Sequence, residues 1–479
     1  MSLNGGDAAP QRTPPDLWAG TETARAGQPD AFHWLGRGAG TSAEEARARL
    51  AAWLDAHGTW SAAAWRLDVL GDRLVNWLVH FEALAADADA GFRHRLAAAL
   101  HRQARHLDRW ALRPEPDADP IAVIRAAVIT RLALAGDRAG VAPLLSALEN
   151  RIQTQINPDG GHWERNPARH ARTLANLLDI RAALAAQHRE VPTVLQGAVD
   201  RMAPVLRMLR HGDGGLALFN GAGEGIGAEI ERILEASESR GRPAASAPHT
   251  GFHRLNAGRT MVLMDTGAPV DAFPFSAGHA GTLAFEMSVG RQRVIVNCGG
   301  AGGGLGEALR ATAAHSTLTL DDTHSADLAD GAGFGALRPV NVQARRREAE
   351  RNVLVEASHD GYAGPHGVVH HRSLFLARDG LDLRGEDVLE APARTGRPFA
   401  IRFHLHPDIR ASVAEGGRTA LLQLPTGRGW KLAISDGGLE LEDSIYTGHG
   451  EVRRSQQIVV SGRHARRRTV AKWRLAREG

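Results

Sequence analysis

Between residues 43 and 212 apolar side chains return at intervals of three and four. "RLVNWLVHFEAL" sets Leu74, Trp77, Leu78 and Phe81 on one stripe, and "VAPLLSALENRIQTQI" does the same with Leu144, Leu145, Leu148, Ile152 and Ile156. The same spacing runs through 92–110, 121–135, 168–187 and 191–210. A period near 3.6 with one apolar face predicts amphipathic helices, and the short links between them predict antiparallel helical hairpins.

After about residue 250 the period changes to two. "TLAFEMSVGRQRVIVNC", "NVLVEAS", "VVHHRSLFLARDGLDLRGEDVL", "FAIRFHLHP" and "KLAISDGGLELED" alternate or are β-branched, with glycine turns between them. That pattern predicts an antiparallel sandwich of many strands. The stretch 213–249 is rich in glycine, serine and proline and reads as a linker. Residues 1–30 read as a flexible tail, which leaves 31–212 as the helical part and 250–479 as the sandwich.

Composition narrows the function more than the fold. The chain has 479 residues, too many for one ordinary core, and a formal net charge of +3. The densest basic runs, "ARRRE" and "RHARRR", stand beside strand-like segments without a recognition motif, which argues against nucleic acid and leaves an acidic polymer as a partner. The single cysteine, Cys298, excludes an internal disulfide framework. No run approaches the roughly 18 apolar residues of a membrane span, and the opening "MSLNGGDAAPQRTPPDLWAG" lacks the basic start and apolar core of a signal peptide.

The densest candidate chemistry is "DGGHWERNPARH" at 159–170. Asn166 before Pro167 predicts an N-cap and first helical residue, which puts His170 in the first turn, where free N–H groups favour an anion. His162 and Trp163 fall in the preceding loop beside Arg165. The residues alone leave both readings open: proton-transfer groups at a mouth, or a polar helix cap with core histidines. Asn76 and His80 stand one helical turn apart and read as a cleft-lining pair. His404 and His406 share one strand face at a spacing of two.

The order of parts, with "NWLVH", "DGGHWERNP", "GDGGLALFNGAGEG", "HAGTLAFEMSVGRQRVIVNCG", "ATAAHSTLTLDD", "LRGEDVLE" and "FAIRFHLHP", resembles the heparinase II/III-like polysaccharide lyases. The resemblance implies an incomplete α/α toroid followed by the β-sandwich. It also implies bacterial β-elimination on an acidic, uronate-containing, glycosaminoglycan-like polysaccharide or oligosaccharide in a cleft between them. A base would remove the proton beside the carboxylate, and an acid would protonate the departing oxygen. Relatives carry a tyrosine in a pattern resembling "SPxYH"; this chain reads "NPARH", with Arg169 at that position. Arginine cannot exchange a proton near neutral pH. Catalysis would then fall to His162 and His170, with Arg169 facing the substrate carboxylate and Asn76, His80, Trp163 and Arg165 binding the sugar.

The resemblance further implies a zinc site in the sandwich, at positions matching His279, Asn297 and His315, where asparagine replaces the usual aspartate. The alternative is a pair of hydrogen-bonded core histidines. The family's location implies the periplasm, with the cytoplasm as the alternative because no leader is visible. Loss of the family tyrosine opens a second function, a catalytically degenerate glycan-binding or polysaccharide-assembly protein that retains the lyase fold.

Overall fold

A computed structural model describes residues 29–37, 42–113, 118–136, 140–270, 278–300, 305–328, 340–414 and 416–478. The fold is mixed α+β, with helices in the N-terminal part and two antiparallel sheets in the C-terminal part.

The helices are α1 (Ala43–His57), α2 (Leu67–Val79), α3 (Phe81–Ala85), α4 (Ala90–Trp110), α5 (Pro120–Ala135), α6 (Ala142–Gln155), α7 (Pro167–Ala186), α8 (Thr193–Met208) and α9 (Gly227–Ala236). Their starts follow local chemistry. Ser42 and Glu45 close a reciprocal capping box on α1, and Asp119 accepts from the N–H groups of Ile121 and Ala122 ahead of Pro120 on α5. The apolar stripes become core: Leu144, Leu148 and Ile152 of α6 are buried, as are Leu74 and Trp77 of α2. Charge is also buried among these helices. Arg125 lies between Asp179 (2.6 Å) and Asp72 (3.3 Å), and all three are shielded from solvent.

The first sheet runs β1 (Ser246–Ala247), β2 (Phe252–Ala257), β3 (Thr260–Asp265), β4 (Phe285–Val289), β5 (Gln292–Val296), β11 (Pro398–Leu405), β16 (Arg453–Arg463), β15 (Gly438–Tyr446), with β6 (Leu318–Leu320) also against β11. The second runs β12 (Arg410–Val413), β13 (Thr419–Gln423), β14 (Gly429–Ile434), β17 (Arg468–Arg477), β10 (Asp382–Glu390), β9 (Val369–Leu376), β8 (Asn352–His359), β7 (Val342–Ala349). Every second residue of β8 and β9 is buried, as a half-buried strand requires. The inward faces share one core, in which the Trp473 ring stacks on Phe285 at 5.5 Å and meets Phe403 edge-on at 4.9 Å. Gly385, paired across from Trp473, leaves room for that indole, since a Cβ there would lie 2.0 Å from it.

A polar knot sits inside this core. Asp387 accepts from His370 Nε2 (2.7 Å), from Arg372 Nε and Nη2 (2.8 and 3.2 Å) and from Trp473 Nε1 (3.0 Å). Arg372 Nη1 also donates to the carbonyls of Leu283 and Ser316. Gly361 N–H donates to His359 Nδ1, so His359 Nε2 donates to His370 Nδ1, and both rings are neutral. Burial works against the Asp387 charge, but the Arg372 guanidinium and the His370 N–H outweigh it and hold the carboxyl far below its ordinary range.

The chain divides into two compact units, and neither is continuous. One takes residues 1–156, 171–201 and 232–239, the other 157–170, 202–231 and 240–479. The expected boundaries at 212 and 250 therefore differ from the packing. The 157–170 turn and the end of α8 belong with the sheets because their polar groups bond there. Asp159 accepts from Thr250, and Arg254 donates to the carbonyls of Met208 and Arg210.

Candidate functional site

Within the second unit the 159–170 turn is built as a strut. Asn166 Oδ1 accepts from the N–H groups of Ala168 (2.9 Å) and Arg169 (3.0 Å), so it caps α7 as the Asn-Pro pair predicts. Its Nδ2 donates to the Asn220 carbonyl, and Asn220 Nδ2 returns a bond to the Arg165 carbonyl. Arg165, at φ 58°, sends its guanidinium to Asp265 and to the carbonyls of Thr250 (2.7 Å) and Ala268 (2.6 Å), under the face of Phe252. It is buried and holds the loop to the sheet, so its donors are not turned to a ligand.

His170 is 1% exposed. Its Nδ1 accepts from the His162 N–H (3.3 Å) and its Nε2 donates to the Met202 carbonyl (3.0 Å), which fixes the neutral tautomer and occupies both nitrogens. Burial pulls its pKa down to about 4, and the bond to Met202 only partly opposes this. His162 is buried too. Its Nδ1 accepts from the Glu164 N–H, and burial, then His170 and Arg169, push its pKa well below the usual histidine value. Arg169, at the family's tyrosine position, pairs with Glu164 at 3.2 Å. Trp163 is half-buried, with its ring 6.3 Å from that of His162. The turn thus gathers the five residues expected there, His162, Trp163, Arg165, Arg169 and His170, but both ring nitrogens of His170 and Nδ1 of His162 face backbone.

Asn76 and His80 belong to the other unit. Asn76 is fully buried and donates to the Ala31 carbonyl (2.8 Å), with His33 Nδ1 at 3.2 Å, so it ties α2 to the preceding segment instead of lining a cleft. His80 is half-buried where α2 gives way to α3.

His279 and His315 do meet. Nδ1 of the first lies 3.1 Å from Nε2 of the second, and His315 Nδ1 donates to the Ala311 carbonyl. That donation leaves Nε2 of His315 as an acceptor, so His279 donates to it. Asn297 contributes no third ligand. Its Nδ2 donates to Glu286 Oε1 (3.1 Å) and its Oδ1 accepts from the Ser316 N–H (3.0 Å), so both ends of the amide are engaged. Glu286 in turn binds His211 Nε2 at 2.7 Å and the N–H groups of Leu218 and Asn297. A tetrahedral zinc needs three or four free donors. The trio does not fit one, and no group of three His, Cys, Asp or Glu among the described residues is arranged for a metal. His404 is likewise committed, to Ser444 (2.8 Å) and the Ala313 carbonyl (2.9 Å).

One cluster was missed from sequence. The Tyr446 hydroxyl donates to Glu224, whose other oxygen meets Arg293 at 3.2 Å. Arg293 also binds Asp213 at 2.7 Å, and the exposed His449 lies 3.4 Å from Glu224. Burial, reinforced by the Glu224 charge, drives the Tyr446 hydroxyl far above its ordinary value despite the opposing Arg293, so the phenol stays protonated. The segments "GDGGLALFNGAGEG" and "SIYTGHGE" carry Asp213, Glu224, Tyr446 and His449, but nothing in their spacing announces a pair 222 positions apart.

Residues 239–474 match the model of the family described as Heparinase II/III-like, C-terminal. FtsZ-localized protein C of Caulobacter vibrioides (strain NA1000 / CB15N) is 33% identical over 429 residues, 85% of this chain and 73% of that protein. The chain belongs to the heparinase II/III-like family. Solved heparinase structures share the fold: Heparinase III at TM-score 0.73 and 12% identity, covering 94% of this chain and 75% of that one. A heparan sulfate lyase HepC mutant from Pedobacter heparinus follows at TM-score 0.68 and 14% identity, with the same coverage. This heparinase II/III-like chain therefore has a polysaccharide-lyase fold, and in its 159–170 turn both ring nitrogens of His170 are bonded to backbone.

Proposed function

We propose that this chain is a catalytically degenerate member of the lyase family that works as a binding protein in an FtsZ-associated assembly. The observation that supports this most is the commitment of His170. A general acid or base needs a nitrogen within reach of the proton it moves. Both nitrogens of His170 hold backbone, and the residue beside it is an arginine paired with Glu164. The 33% identity to a protein named for its localization with FtsZ supports that choice of partner. The reading requires the cytoplasmic alternative rather than the periplasm.

The test has two arms. Incubation with a panel of uronate polymers should yield no ultraviolet absorbance from unsaturated ends, and a fluorescent fusion should superimpose on labelled FtsZ. Unsaturated product, or a diffuse fusion in cells with intact FtsZ structures, defeats the proposal. One observation favours the lyase reading: His449 reaches solvent beside Glu224, which holds Tyr446. If product appears, its loss in His449→Ala would assign β-elimination on an acidic glycan to that trio.

A further inference from the structure

The outward face of the second sheet carries an uneven charge pattern. Asp382 Oδ1 accepts from Arg474 Nε (2.8 Å) and its Oδ2 from Arg384 Nε and Nη2 (2.9 and 2.7 Å), so one carboxylate serves two guanidiniums. Glu386 is shared in the same way between Lys472 (3.1 Å) and Arg468 (3.7 Å). Four cations thus face two carboxylates. Glu390, further along β10, is engaged by His371 at 3.5 Å. Both arginines that share Asp382 are more than half exposed, while Asp382 itself is 11% exposed, so the positive heads stand outward and the negative one lies beneath.

These cations border a groove of about 430 Å³ that crosses β14, β17, β10 and β9, with Phe375, Ala433 and Ile434 among its lining residues. Three steps between neighbouring strands span roughly 14 Å, the length of about four residues of extended chain. The Arg384 guanidinium lies 5.5 Å over the Phe375 ring. It covers one face of that ring as a cation–π contact.

From this geometry we infer that the groove is a docking site for an acidic peptide segment with apolar side chains between its carboxylates. The surplus cations meet the carboxylates, and Phe375 and Ala433 meet the intervening aliphatic groups. The inference is independent of the proposed FtsZ association, since it depends only on this face.

Fluorescence anisotropy on the full chain tests it, with a labelled octapeptide of alternating glutamate and leucine as the probe. Binding should weaken as salt rises, and a glutamine-leucine peptide should not bind. Arg384→Gln with Arg474→Gln should weaken binding about tenfold or more, the scale of two partly screened ion pairs. Asp382→Asn removes the shared carboxylate and should tighten binding severalfold. The two variants move in opposite directions, so a general loss of fold cannot imitate the result. Absence of binding to the probe, or equal affinity in wild type and the arginine variants, overturns the inference. So does binding of a heparin oligosaccharide or of phosphatidylglycerol vesicles at this groove in place of the peptide.

Discussion

Replacing Arg372 with methionine tests the knot at the centre of the sandwich. The substitution keeps most of the side-chain volume and removes the guanidinium that holds Asp387 twice and the Leu283 and Ser316 carbonyls once each. Breaking one partner of a fully buried ion pair leaves an uncompensated charge and costs about 3–5 kcal/mol. Two carbonyls losing a charged donor add to that, so the upper end is expected. In a domain of this size a loss of about 4 kcal/mol lowers Tm by roughly 8–16 °C. The pH dependence gives a second signature. In the wild type Asp387 has a depressed pKa, so its contribution is complete above the ordinary aspartate range of about 3.9 and is lost only as pH falls below it. Without Arg372, burial should raise that pKa, so the stability gap between variant and wild type should narrow on going from neutral to mildly acidic pH. Arg372→Met with Asp387→Asn should recover part of the loss, because the stranded charge is gone. Urea titrations at two pH values and calorimetry measure all of this. A variant within about 1 kcal/mol of wild type, or a gap that widens in acid, would refute an Arg372-dependent buried carboxylate.

Three further outcomes follow from other sites. His170 and His404 have pKa values pulled down to about 4 and about 3 chiefly by burial, so the unfolded chain takes up protons first and stability is lost as pH falls below about 6.5. At pH 5 each should cost about 2 kcal/mol, read as a lower urea midpoint, and an unchanged midpoint between pH 7.5 and 5 would contradict their neutral burial. Gly385→Ala drives a methyl into the Trp473 indole, which Phe285 and Phe403 hold in place, and should cost about 1–3 kcal/mol by calorimetry. Because the His279, Asn297 and His315 donors are engaged with one another or with protein, a chelator should leave Tm unchanged, and a drop of several degrees would restore a metal to that position.

The fold was legible because its signals are local and periodic. Leu144, Leu148 and Ile152 are buried at helical spacing, and 352–359 and 369–376 alternate as half-buried strands do. The site was less so. A run of histidine, glutamate, arginine and tryptophan in a turn reads as exposed chemistry, yet here Arg165 and Asn166 spend their donors on carbonyls of distant segments. The resemblance placed His279 beside His315, but Asn297 turns to Glu286 and Ser316, and both partnerships depend on strand register. Asp387, His370 and Arg372 lie at outward-looking polar letters in the sequence. Only the pairing of β9 with β10 shows them pointing inward together.

The interleaving of the two compact units bears on inheritance as well as on folding. The family match begins at residue 239, and a gene fragment cut there would encode all seventeen strands among the described residues. It would leave behind Glu224 and Asp213, the counter-ions of a fully enclosed Arg293, and the loop that supplies Arg165 to Asp265. The chain passes from one unit to the other five times, at 156/157, 170/171, 201/202, 231/232 and 239/240. Recombination at any one of these points splits a unit. In this chain the two units are therefore not exchangeable at a single crossover, because at each of these points at least one unit has segments on both sides.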